Sequence, residues 1–133
     1  MDMEQDASGV HQYELTGGWI VLVGKSDRDN DRLSLDIARD NDWWFHVRGM
    51  PGSHVLLKAR QGESPDRDIL RCAAAIAAYH SKARYGGIVP VTYTQARYVT
   101  KPHRAKPGTV SIRRESILKV RPQLPPPPSS PSR

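Results

Sequence analysis

The 133-residue sequence holds one cysteine, Cys72, and one phenylalanine, Phe45. A lone thiol excludes an intramolecular disulfide framework and any cysteine-rich zinc site, and it fits a reducing, cytoplasmic setting. No apolar run approaches the roughly 18 residues that a membrane-spanning helix needs, so no membrane partner is expected. The first ten residues, MDMEQDASGV, are acidic and polar and do not read as a signal peptide. Acidic residues also run out part-way along the chain. Residues 80–121 carry ten Lys/Arg against Glu115 alone, a net of +9, whereas residues 1–79 carry nine Lys/Arg and thirteen Asp/Glu, a net of −4. The overall +6 therefore hides a basic C-terminal half. Such asymmetry points to a polyanion, of which nucleic acid is the commonest, unless the cations are simply solvated surface.

At 14.9 kDa and 38% hydrophobic residues, the chain is one domain with a modest core. That size excludes an enzyme with separate cofactor and substrate domains. Residues 1–10 lack periodicity, and 124–133 read LPPPPSSPSR, a run that favours extended polyproline II and cannot join a sheet. The expected layout is a disordered N-terminus over 1–10, a folded domain over 11–122 and a Pro-rich disordered tail over 123–133.

Within the domain, Gln12–Leu15 and Trp19–Val23 flank Thr16-Gly17-Gly18 as a hairpin. Lys25–Asn30 reads as a polar turn. Leu33–Ala38 is ambiguous between strand and short helix; Ser34 as a cap favours the helix. Trp43–Val47 and His54–Lys58 read as strands around the Met50–Ser53 turn. Ser64 as N-cap, Pro65 at the first helical position and Asp66 and Asp68 in the first turn start the best helix. Its apolar positions recur at Ile69, Cys72/Ala73, Ile76 and Tyr79, and its alanines let it lie close to a sheet. Ile88–Thr94, Arg97–Val99, Thr109–Arg113 and Ser116–Val120 are further strands. The expected fold is α+β: a single compact domain, a mostly antiparallel sheet of seven or eight short strands, and one long and one short helix.

Two segments concentrate candidate chemistry. On a strand over 43–47, Trp44 and His46 share one face, where they either stack on a base or ribose or belong to the core. The Pro51-Gly52-Ser53-His54 turn can offer backbone N–H groups to a phosphate. A hydrolytic alternative makes Ser53 a nucleophile, His46 or His54 its base and Asp42 the orienting group, but adjacent Ser-His side chains on a strand diverge. His46 and His54 alone lack a third ligand for a metal, so neither metal nor cofactor is expected. The second segment, 93–108, interleaves tyrosines with Arg97, Lys101, Arg104 and Lys106. Its prolines and Gly108 make 101–108 an exposed loop, suited to phosphates or merely solvated.

Taken together, Val23-Gly24-Lys25 with Asn30-Asp31, Asp42-x-Trp44-Phe45-His46-Val47, Pro51-Gly52-Ser53-His54-Val55, Ser81-Lys82, Val91-x-Tyr93-Thr94, Val99-x-Lys101-Pro102 and Lys106-Pro107-Gly108 resemble the NFACT-R domain over residues 11–122. The resemblance implies a non-catalytic RNA-binding module of the kind found in ribosome-associated quality-control factors. Its implied partners are tRNA or ribosomal RNA and the large ribosomal subunit. The further domains of those factors do not fit in this chain, so C-terminal tailing is not carried over. The RNA-binding candidates are Lys25, Asp42, Trp44, His46, Arg48, Gly52, Ser53, His54, Lys82, Arg97, Lys101, Arg104 and Lys106. The cations would meet phosphates, Trp44 and His46 a base, and Asp42 would orient His46. A rival from another class is an adaptor that recruits a protein through the proline tail.

Overall fold

Alternating apolar residues build the sheet, and a computed structural model describes residues 9–126. The expectation for residues 1–8 and for the tail beyond 126 lies outside the described residues. The strands are β1 (Val10–Glu14), β2 (Ile20–Gly24), β3 (Trp43–Val47), β4 (Val55–Leu57), β5 (Val89–Gln95), β6 (Val99–Thr100), β7 (Ser111–Ile112) and β8 (Ser116–Val120). Six form one sheet in the order β1-β2-β4-β3-β5-β8 with every pairing antiparallel, and β6 and β7 make a separate ribbon. Two helices, α1 (Asp27–Asp31) and α2 (Arg67–Tyr79), complete the α+β domain.

The period of two sorts side chains between two cores. Val21, Val23, Phe45, Val47, Val55, Leu57, Val91, Leu118 and Val120 face α2. The buried surface of that helix is Ala73, Ala74, Ala77 and Ala78 around the single large side chain of Ile76, so its backbone approaches the strands closely. The opposite face buries Trp44, Leu56 and Val10 with Leu33, Ala96 and Val99. The residues after α1 and the β6–β7 ribbon cover it, which alternation alone does not reveal.

Local chemistry shifts four expected elements. Lys25–Asn30 is not a plain turn: Ser26 caps α1, its hydroxyl accepting from Asp29 N at 3.1 Å and donating to the Asp29 carboxylate at 2.8 Å. The helix then widens through a π-type turn over Arg32–Ile37, where Ala38 N donates to Leu33 O at 3.0 Å. Ser34 is thus a buried side chain within a helix rather than a cap. At α2 the cap is Asp66, whose carboxylate accepts from Ile69 N at 2.9 Å, and Ser64 and Pro65 lie before it. Residues 96–98 form a 3₁₀ turn instead of strand. The chain leaving β8 stays docked: Gln123 N donates to Ala75 O, and Leu124 packs on the main core.

Candidate nucleic-acid interface

The aromatic and imidazole candidates turn inward. Trp44 is 3% exposed, and its indole N–H donates to Ser34 Oγ at 2.8 Å. Covered by the second core, it cannot stack on a base. Ser34 Oγ also lies 2.8 Å from His54 Nδ1. Desolvation pushes His54 down to about 4, with the neighbouring His46 adding to the shift. With its oxygen already accepting from Trp44, the Ser34 hydroxyl donates to Nδ1 of the neutral ring. His46 is half-buried and held below its ordinary value by desolvation, with the Gly52 backbone opposing the shift. His54 therefore ties the turn before β4 to the segment around α1, its backbone N–H donating to Asn30 Oδ1 at 3.0 Å.

Asp42 does not orient His46. Its carboxylate is 2% exposed and accepts from Arg39 N at 2.8 Å, Ala59 N at 2.7 Å and Lys58 Nζ at 2.5 Å. It ties β3 to the chain leaving β4, and the Ser53–His–Asp42 arrangement of the hydrolytic alternative is not assembled. Among the described residues, no group of three or more His, Cys, Asp or Glu could hold a metal, and no helix is long and apolar enough to cross a membrane.

Other candidates come together at one end of the sheet. Pro51-Gly52-Ser53 zips onto residues 80–82 through a single antiparallel rung between Gly52 and Ser81. Ser53 N donates to His80 O at 3.0 Å and Lys82 N to Pro51 O at 3.3 Å. A Cβ on Gly52 would sit 2.8 Å from Ser81 Cβ and 3.1 Å from a Val47 methyl, so only glycine permits this approach. The rung floors an open cleft of about 390 Å³, lined by Lys25, Ser53, Tyr79, His80, Lys82 and Arg84 among others. Lys25 and Lys82 are exposed and have no ion-pair partner among the described residues, although Asp27 also reaches the cleft. The Arg84 guanidinium lies 3.6 Å over the Tyr79 ring. His80 is pushed down to about 4, by desolvation first and then by His11 and Arg84, so it is an uncharged ring at neutral pH.

The basic loop lies against the other side of α1. Lys101 is spent inside it: Nζ contacts Asp31 at 3.0 Å and donates to the carbonyls of Lys106 and Thr109. Gly108 N donates to Asp31 as well, at 3.0 Å. The clasp leaves Arg104 and Lys106 exposed beside α1. Arg48 is exposed just past β3, at the cleft end of that strand. Arg97 stands apart, its guanidinium on Asn41 at the opposite end of the sheet.

Residues 9–114 match the family described as the NFACT protein RNA binding domain. The chain belongs to that family. This NFACT RNA-binding domain is 43% identical over 110 residues to the Rqc2 homolog RqcH of Bacillus subtilis, covering 83% of the chain and 19% of the relative. It is 39% identical over 106 residues to the Rqc2 homolog RqcH of Streptococcus suis, covering 80% of the chain and again 19% of the relative. The NFACT domain thus spans about a fifth of the length of these relatives. A solved structure of the C-terminal part of the fibronectin/fibrinogen-binding protein from Streptococcus suis superposes with a TM-score of 0.81 at 37% identity, over 86% of this chain and 46% of that one.

Tyr79, His80 and Arg84 line the cleft and Tyr85 follows Arg84 directly, and none of the four was among the RNA-binding candidates. The available signal was Arg84-Tyr85 directly before Gly86-Gly87, an aromatic and a cation on a loop.

Proposed function

We propose that this domain is a non-catalytic RNA-binding module for structured RNA, tRNA or large-subunit ribosomal RNA, working in ribosome-associated quality control in the cytoplasm. The observation that carries the reading is the convergence of Lys25, Lys82 and Arg84 with Gly52 and Ser53 in one cleft. Membership of an RNA-binding family supports it, and the names of the relatives support the setting. Lys25, Lys82 and Arg84, continued past α1 by Arg104 and Lys106, take phosphates, with Arg48 beside them. Lys101 acts at one remove, holding the loop in place. His54 fixes the turn that flanks the site, and Arg97 lies off this surface.

Affinity for tRNA and for large-subunit ribosomal RNA, measured against salt concentration, tests the assignment. Each phosphate contact contributes about 0.7–0.9 to the log–log slope, so the Lys25→Ala/Lys82→Ala pair should flatten the slope by roughly 1.5. Unchanged affinity and slope in a folded double variant would refute the surface. Crosslinking the intact protein in cells then names the RNA, and enrichment no greater than for a basic control protein would refute the module.

A further inference from the structure

Phosphate contacts alone do not explain the chemistry around the cleft. Tyr85 is 92% exposed, a whole phenol ring standing in solvent on a loop that Gly86-Gly87 continues. Its neighbour Arg84 lies over Tyr79 and also within 5.8 Å of the Tyr85 ring centroid, so the guanidinium links the cleft wall to the exposed ring. The cleft volume, about 390 Å³, lies near the lower end of the range of ligand pockets, roughly 300–1,000 Å³. Ser53 has no side-chain hydrogen-bond partner among the described residues, leaving its hydroxyl available for a ribose or phosphate oxygen. The His80 ring in the wall is held by the Tyr13 hydroxyl at 2.8 Å and backed by His11, with ring centroids 5.5 Å apart.

An uncovered aromatic beside a planar cation is a stacking platform, and in a duplex the faces of the bases are already occupied by their neighbours. A platform at the rim of a one-residue-sized cationic cleft matches a nucleotide that has left its helix. We propose that the cleft takes one unpaired nucleotide of the bound RNA, its phosphate between Lys25 and Lys82 and its base on the Arg84–Tyr85 rim. This rests on the RNA-binding reading above and makes the module a reader of loops, bulges or single-stranded ends rather than of duplex backbone.

The test compares the full chain on an unstructured 12-nucleotide RNA and on the duplex of the same sequence, with 2-aminopurine placed along the single strand. Tyr85→Ala should weaken single-strand binding about tenfold, Tyr85→Trp should restore it, and duplex binding should change less than twofold. 2-Aminopurine fluorescence should change at one position in the wild type and not in Tyr85→Ala. Equal loss on both RNA forms, or no loss on either, overturns the unpaired-nucleotide site, while a retained effect of Lys25→Ala/Lys82→Ala leaves RNA binding standing. Failure of the wild type to bind either RNA overturns both.

Discussion

Burial of His54 should make the stability of this domain fall as the medium is acidified. In the unfolded chain the ring titrates near 6.5; in the folded chain it is pushed down to about 4. Between those values the unfolded state binds a proton that the native state refuses. Stability from this group is therefore complete above about pH 6.5, declines as the pH drops toward 4, and levels off below that. At about 1.4 kcal/mol per pH unit, the full span is worth about 3 kcal/mol. The structural cause is specific. The residue is 3% exposed, and protonating Nδ1 would make the Ser34 hydroxyl, already accepting from Trp44, accept a second bond. Urea unfolding followed by tryptophan fluorescence at pH 7.5, 6, 5 and 4.5 measures the effect in the wild type and in His54→Gln. Glutamine keeps a donor and an acceptor but cannot titrate, so contributions from His80 and the carboxylates cancel in the difference, which then reports His54 together with its coupling to His46. The wild type should lose up to about 3 kcal/mol more than the variant across this range. Parallel curves would refute the buried neutral imidazole.

Lys101→Ala and Lys106→Ala should behave differently: the first lowers the unfolding temperature by releasing the clasp on Asp31, while the second leaves it unchanged and reduces the salt slope of RNA binding by about 1. Identical effects on both readouts would contradict the division of labour. Asp42→Ala should destabilise the domain by about 3 kcal/mol in denaturant unfolding, because Arg39 N and Ala59 N lose a charged acceptor; a change below 1 kcal/mol would contradict it. Gly52→Ala should destabilise by about 1–3 kcal/mol and weaken RNA binding, since the new methyl wedges the rung against Ser81 apart; protection of the Ser53 amide from hydrogen exchange should drop with it.

Elements whose signal is local are legible in the sequence. β3 spans Trp43–Val47 and β8 spans Ser116–Val120, both as their alternation predicts, and the 12–23 hairpin forms. The start of α2 moves two residues because Asp66 reaches Ile69 N while Pro65 stays outside the helix. The signal for α1, a serine three residues before an aspartate, was present but lay in a stretch polar enough to pass for a turn. Core burial of Trp44 was one of two readings open in the sequence, and what decides it was not legible. It depends on a ribbon of two-residue strands and on a clasp between Asp31 and Lys101, seventy positions apart, which no periodicity encodes. For the same reason, Lys25, Gly52, Ser53 and Lys82 could be named separately but not seen to share a cleft.

The alanine face of α2 has a consequence for that cleft. Ala73, Ala74, Ala77 and Ala78 act as spacers that set how thick the domain is, and the helix they position runs directly into Tyr79, His80 and the rung at Ser81. The width of the cleft is therefore inherited from the gauge of the core. Exchanging one of these methyl groups for a longer side chain would lift the helix end and widen the opening without altering any residue that lines it. Substitutions in the dry interior can retune what the wet surface accepts.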